Sequence, residues 1–275
     1  MCFFRYKILY WLFVIICITG RPNVYSQNIF NGGHSSAMAG MSSLQTGTWA
    51  SCSNPAGLSE IQHRLSIALS HYSLYGIKDL SANTVATAGL LSKNSGAGLW
   101  IANSGLEKFR DITGGVSYGH GITPELSAGV GIGFLQKQTV YEPSEGFIPN
   151  VSTGLMWNPN KYWHTGIYGI YNEQNDVVKL EKYKIKGSLG YGDYEKYLLA
   201  IEYETADGYK SIWRSGMFFT PINPLKILCG FSNGPHPWSM GVGYEINRMY
   251  IQFSFIQHNS LGGTLAISAE AKLFK

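Results

Sequence analysis

From Leu65 to the end, the chain repeats one local pattern. Short runs in which apolar and polar or small side chains alternate are separated by turn residues. Residues 126–134 show it most clearly. Leu126, Ala128, Val130, Ile132 and Phe134 fall on one face, and Ser127, Gly129, Gly131 and Gly133 on the other. A period of two is the signature of a strand with one face hidden from water. The Gly-x-Gly-x-Gly at 129–133 has no helix after it, so it is a strand with a small inner face and not a phosphate loop. About fourteen such runs can be read, each roughly 8–11 residues long, which is the length a tilted strand needs to cross a hydrocarbon layer.

The connections carry a second pattern. Counted from the first strand, odd connections read long and polar (residues 104–111, 137–146, 172–181), while even ones read tight (93–94, 123–125, 247–248). Short turns at one end and longer loops at the other are expected of outer-membrane barrels. The fold expected is therefore all-β: a transmembrane antiparallel outer-membrane β-barrel of about 14 strands.

Composition agrees. Charged and aromatic residues are each 14% of the chain, and 33 residues are glycine. Arg5 and Lys7 precede an apolar run at 8–18, and Val24-Tyr25-Ser26 offers a cleavage point before Gln27, which together read as an export signal. Its removal takes away Arg5, Lys7 and Arg21, leaving 18 basic residues against 17 acidic ones. A nearly neutral mature chain has no basic stripe for nucleic acid. The expected organisation is a signal peptide at 1–26, a plug segment at 27–62 and the barrel at 63–275.

Only Cys52 and Cys229 remain after processing, and neither lies in a metal-ligand spacing. Cys229 alternates with Ile227 and Phe231 and so points outward, away from a plug-borne Cys52; pairing across the wall is disfavoured. No Gly-x-Ser-x-Gly or His-Glu-x-x-His is present. His120 with Ser117 or Ser127 is the best candidate for a strand-borne catalytic pair, and it reads more simply as a strand-end histidine. The chain is expected to be no enzyme and to need no cofactor.

Two sites stand out. Ahead of the strands, Ala37, Met41 and Leu44 have the spacing of a short helix with one apolar face, the plug. That stretch ends in Asn54-Pro55-Ala56-Gly57, a dense turn signal. Two readings of this motif stand: a plug anchor whose Pro and Gly hinge a gate, or a rigid corner leading into the first strand. The other site lies in the eighth and ninth strands. Pairing Tyr191 with Tyr197 sets Leu189 beside Leu199 on the lipid face, with Lys186 opposite Glu202 and Lys184 opposite Glu204 inside. Such cross-strand ion pairs contribute about 0.2–1 kcal/mol each. Asn247-Arg248 is expected to form a two-residue turn pairing Tyr244 with Ile251 and Val242 with Phe253.

Ala37-Met38-Ala39-Gly40-Met41 and Asn54-Pro55-Ala56-Gly57-Leu58, followed by the strand series, resemble the PorV/PorQ family of Bacteroidota outer-membrane proteins, relatives of the FadL long-chain fatty-acid transporters. Between the two motifs the family usually carries acidic residues; here Gln45-Thr46-Gly47-Thr48-Trp49 stands instead, and the chain is short for the family. The resemblance implies a plugged outer-membrane barrel in a Gram-negative cell, surrounded by lipid and serving type IX secretion through components or cargo. The alternative it implies is a FadL-like transporter of a small hydrophobic molecule. The two differ at the inner face: apolar residues beside the plug favour transport, whereas Gly, Ser and paired charges favour partner binding. The fifth, eighth, ninth and twelfth strands read as the latter, so partner binding in type IX secretion is the expectation.

Overall fold

The computed structural model describes residues 32–106, 109–139, 147–173 and 181–274. The expected signal peptide at 1–26 lies outside the described residues, as do residues 140–146 of the long loop expected at 137–146. The strands are β1 (Leu65–Ser73), β2 (Ser81–Ser92), β3 (Ser95–Leu106), β4 (Phe109–Gly121) and β5 (Leu126–Thr139). Then follow β6 (Ile148–Trp157), β7 (Trp163–Asn172), β8 (Tyr183–Asp193), β9 (Tyr197–Ala206) and β10 (Ile212–Ile222). The last four are β11 (Leu225–Ser232), β12 (Trp238–Ile246), β13 (Met249–His258) and β14 (Gly262–Phe274). Each pairs antiparallel with its neighbours in sequence, and β1 closes on β14 through pairs such as Tyr72↔Ala266, making a closed fourteen-stranded barrel. Closure removes every sheet edge, which is what lets strands cross lipid with all backbone groups paired.

Alternation sorts the side chains as the period-two pattern requires. Leu99, Val130, Ile132, Phe253 and Leu265 stand out from the wall, Ile132 with 64% of its surface exposed. A continuous apolar outer belt of this kind far exceeds what a water-facing surface tolerates. Among the described residues no helix is long and apolar enough to cross a membrane; the strands are the crossing elements. Trp157, Trp163 and Trp213 lie exposed near strand ends, where the wall meets the polar interface.

Three local expectations are corrected. The connection expected at 104–111 is two residues long, because β3 and β4 stay paired through Ser104↔Asp111 and Gly105↔Arg110 to Leu106↔Phe109. Polar residues at a strand end look like a loop in sequence, yet a ladder can continue above the lipid without apolar side chains. The strict long–short alternation therefore fails at this connection.

The β8–β9 register is shifted by two residues from the expected one. Tyr191 pairs with Leu199, Leu189 with Ile201, Lys186 with Glu204, Ser188 with Glu202 and Lys184 with Ala206. The turn is tighter than assumed: the Lys196 amide donates to the Asp193 carbonyl at 2.8 Å and the Glu195 amide to the Asp193 carboxylate at 3.1 Å. A two-residue shift keeps every side chain on its own face, so the alternation could not detect it. The Asn247-Arg248 turn pairs Tyr244 with Ile251 and Val242 with Phe253, and Asn247 supplies its φ of 54°.

The third correction concerns the plug. Its helix, α1 (His34–Ala37), is one turn long. Ala39 and Gly40 take φ of 54° and 83° and end it, so Met41 and Leu44 lie beyond the helix. Two 3₁₀ turns follow, Gly47–Cys52 and Pro55–Glu60. The plug is thus a folded-back strap of short turns that fills the lumen.

Candidate functional site: the plug and its two seats

The strap touches the barrel wall in two chemically different ways. One seat is formed by Asn54-Pro55-Ala56-Gly57 against β4–β7. All four residues are buried. The Asn54 side chain accepts from the Ala56 amide at 3.1 Å, fixing the start of the 3₁₀ turn with Pro55 in its first position. Its amide group donates to the carbonyls of Ser43 (2.6 Å), Leu155 (3.3 Å) and Ile167 (3.4 Å), joining one side chain to the strap and to two strands.

The wall has no side chains at this seat. A Cβ added to Gly129 would collide with the Pro55–Ala56 peptide, one on Gly119 with the Pro55 carbonyl, and one on Gly154 with the Asn54 side chain. These glycines therefore permit backbone-to-backbone approach. Gly57 is itself held against the Gln45 carbonyl. These contacts fix the motif against β4–β7.

The other seat is polar. Glu202, fully buried on the inner face of β9, accepts from the Ser42 and Ser43 amides at 2.9 Å each and from the Ser43 hydroxyl at 2.5 Å. Its second oxygen faces Arg214 Nη1 at 3.3 Å. Arg214 also reaches Glu204 at 3.0 Å, Glu204 pairs with Lys186 at 3.2 Å, and Lys186 donates to the Ser42 hydroxyl at 2.8 Å. Ser188 touches Ser43 and completes the ring. Lys184 pairs with Glu181 at the long-loop end, and its charge also acts on Glu204.

Of the four charged residues singled out in sequence, Lys186, Glu202 and Glu204 are joined by direct ion pairs and hydrogen bonds through Arg214 and the strap, and Lys184, in direct contact with Glu181, acts on Glu204 by its charge. Cross-wall charges here neutralise one another while a carboxylate binds the strap by its backbone. Buried ion networks of this kind add little net stability, but losing one member leaves an uncompensated charge.

Beside the polar seat the lumen is apolar. Met38, Met41 and Leu44 of the strap pack on Leu198 and Ala200 of β9, Phe218 of β10 and Leu228 of β11. The expected Gly, Ser and charge character of the ninth strand holds only for its upper half: Leu198 and Ala200 face inward below Glu202 and Glu204. Under the strap, at the end of the short turns, lies a cavity of about 430 Å³. Met38, Leu44, Leu198 and Phe218 line its floor, and Lys226 and Glu270 its sides. Lys226 sits over the Phe218 ring at 4.7 Å. Burial and the nearby Lys226 hold the His34 imidazole well below its ordinary pKa, so it is neutral.

Sequence reasoning missed Arg214, Ser42, Ser43 and Ser188. Alternation from Trp213 would have placed Arg214 inside; nothing in the sequence marks Ser42-Ser43 as a carboxylate-binding pair. Cys52 and Cys229 are free thiols, and burial pushes the Cys52 thiol up to about 12. Among the described residues no cluster of three or more His, Cys, Asp or Glu could hold a metal.

No protein-family model matches the sequence, and no curated protein matches it. The fold is nonetheless similar to solved barrels. The CymD monoaromatic hydrocarbon channel superposes with a TM-score of 0.68 at 11% identity, covering 90% of this chain and 98% of that one. The Ralstonia pickettii toluene transporter TbuX gives 0.67 at 10% identity over 90% and 99% of the two chains. A Pseudomonas aeruginosa FadL homologue gives 0.63 at 9% identity over 91% and 100%. At these identities the likeness is one of fold: a closed antiparallel outer-membrane β-barrel.

Proposed function

We propose that this chain admits a small hydrophobic molecule through the outer membrane of a Gram-negative cell, after an export signal at 1–26 is removed. The observation that carries this reading is the apolar inner face beside the plug. Leu198, Phe218 and Leu228 meet Met38, Met41 and Leu44 above a cavity that opens at the short-turn, periplasmic end. Those apolar side chains offer a hydrophobic solute a surface to contact beside the strap. The solved relatives in fold, described as monoaromatic hydrocarbon channels and a toluene transporter, support the same reading.

The mechanism follows from the contrast between seats. The motif Asn54-Pro55-Ala56-Gly57 anchors the strap, and segment 38–45 is the part that yields. Its hold on the wall combines backbone approach at Gly166 and Gly230 with the polar contacts to Glu202 and Ser239, and water or an arriving solute's hydration can replace those hydrogen bonds. Its apolar side can exchange Met and Leu contacts for contacts with the solute. Segment 27–62 then acts as a tethered plug inside barrel 63–275.

The PorV/PorQ-like motifs at Ala37–Met41 and Asn54–Leu58 favour a second reading, attachment to type IX secretion components or cargo. One pair of measurements separates the two in the native strain and its deletion. Hydrophobic-solute uptake that falls on deletion, with an unchanged surface and secreted proteome, supports transport. Unchanged uptake with type IX cargo retained in the periplasm overturns it in favour of secretion.

A further inference from the structure

The outer wall carries a feature that passage through the lumen does not use. On the lipid face of β2–β5 the apolar belt is interrupted by a trough of about 560 Å³. Its floor is built from small residues, Thr87 of β2 and Ala97 of β3, whose strands pair as Thr87↔Leu99 and Gly89↔Ala97, and Gly89 is covered by the Arg64 carbonyl at the trough's foot. Leu91, Leu99 and Tyr118 rise around it, all with more than 40% of their surface exposed. A depression in a wall facing hydrocarbon is filled by hydrocarbon, since an empty one forfeits dispersion contacts along its whole lining.

At the foot of the trough stands Arg64, exposed and lining it. The His63 and Leu65 neighbourhood is pinned there: the Leu90 amide donates to the His63 carbonyl at 3.0 Å and the Arg64 amide to the Phe274 carbonyl at 2.9 Å. Lys93, two residues beyond Leu91 in the β2–β3 turn, is exposed at the same end of the barrel. Among the described residues neither Arg64 nor Lys93 makes an ion pair. Glu125, in the β4–β5 turn of the same rim, is occupied by the Thr123 hydroxyl at 3.1 Å. An apolar trough within the membrane belt, ending in unpaired cations at the level of the headgroups, has the layout of an anionic lipid: acyl chain above, phosphate below.

We propose that this trough binds one anionic phospholipid of the periplasmic leaflet, its phosphate held by Arg64 and Lys93 and an acyl chain lying over Thr87 and Ala97. The inference rests on the membrane-spanning reading above and is independent of what crosses the lumen. Basic residues at a membrane surface each favour an anionic headgroup modestly, and a guanidinium fits a phosphate oxygen pair.

The test is native mass spectrometry of the full mature protein released from mixed micelles, titrated with phosphatidylglycerol, diacylglycerol or inorganic phosphate. Phosphatidylglycerol is expected to bind as a single adduct about tenfold more tightly than diacylglycerol. The double variant Arg64→Gln/Lys93→Gln should erase that preference. Ala97→Leu, which fills the floor but keeps both cations, should weaken both lipids alike. Each variant is checked for the compact, heat-modifiable band of a closed barrel, so a folding failure is seen as such. Equal binding of the two lipids to the native protein overturns the proposal. So does an unchanged preference in the double variant, or inorganic phosphate competing fully with the lipid, which would mark a free-phosphate site. Failure of the native chain to insert into bilayers overturns the membrane reading itself and is scored separately, by flotation with liposomes.

Discussion

The two seats of the plug differ in what a substitution can do to them. At the Asn54-Pro55-Ala56-Gly57 seat the wall contributes glycines, and strap backbone lies on strand backbone. Apart from the Asn54 side chain, the contacts there are backbone and cannot rotate away. At the Ser42-Ser43 seat the wall contributes one carboxylate inside a ring of charged and hydroxyl groups. The wall's hold there adds side chains with other rotamers and other partners to close backbone approaches at Gly166, under the Ser43 carbonyl, and Gly230, under the Met38–Ala39 peptide. The difference teaches that one wall can hold a strap by close backbone approach on glycine at both points while adding a replaceable polar partner, Glu202, at only one of them.

The comparison can be broken most forcefully at Glu202. Glu202→Leu leaves the Ser42 and Ser43 amides without an acceptor and Arg214 with one carboxylate fewer, a loss of about 3–5 kcal/mol in strap seating. Amide exchange at Ser42 and Ser43 should rise steeply while Ala56 and Gly57 stay protected. Exchange rising equally at both seats would show that the strap moves as one body and that the distinction is false.

At the long-loop end, His236 provides a control outside both seats. It is buried beside His258 and Tyr75 with neither ring nitrogen bonded, and burial first, then His258 and Arg214, push its pKa down to about 4. Because the folded value lies below the unfolded one, the unfolded chain binds more protons between about pH 6.5 and pH 4. Stability should therefore fall as pH drops through that window, by on the order of 3 kcal/mol in total. Denaturant midpoints across the window measure this, and His236→Phe should flatten that part of the profile. The exchange pattern at the Asn54–Gly57 seat, which holds no charge that acts on His236, should not change with it.

Gly154→Ala probes the glycine seat. The added methyl meets the Asn54 side chain, an overpacking cost of about 1–3 kcal/mol. The expected exchange pattern is the reverse of that for Glu202→Leu, with gains at Ala56 and Gly57 and protection kept at Ser42 and Ser43. The smallest effect expected is on thiol labelling. Cys52 is buried in the strap with its thiol raised to about 12, so it should resist maleimide in the native protein and in Glu202→Leu. It should react only when Gly154→Ala loosens the anchored half.

Much of the barrel was legible because alternation is a physical requirement of a wall between lipid and lumen. Leu126–Phe134 could take no other form, and the Asn247-Arg248 turn fixed its own register through Tyr244 and Val242. The β8–β9 pairing was not legible to the same degree. A shift of two residues preserves every face, and the deciding contact, the Asp193 carboxylate on the Glu195 amide, is a turn detail.

In the plug, the spacing of Ala37, Met41 and Leu44 did identify residues on one apolar surface, since Met41 and Leu44 do pack together. It misread why, because Ala39 adopts a positive φ that alanine rarely takes. The charged seat was half visible: acidic and basic residues on two strands pointed inward, but their partners Ser42 and Ser43 lie some 160 residues away in sequence.

The central claim, that segment 38–45 must leave the wall for a solute to pass, is tested most directly by a lock. With Cys52 and Cys229 replaced by alanine, Ser43→Cys/Ser188→Cys puts two thiols where two hydroxyls now touch. Cells expressing this variant behind an intact outer membrane are assayed for uptake of a fluorescent hydrophobic probe, oxidised and then reduced. The account predicts that oxidation stops barrel-dependent uptake and that reduction restores it. Uptake undiminished in the fully cross-linked protein would contradict it, and would move the route elsewhere in the wall.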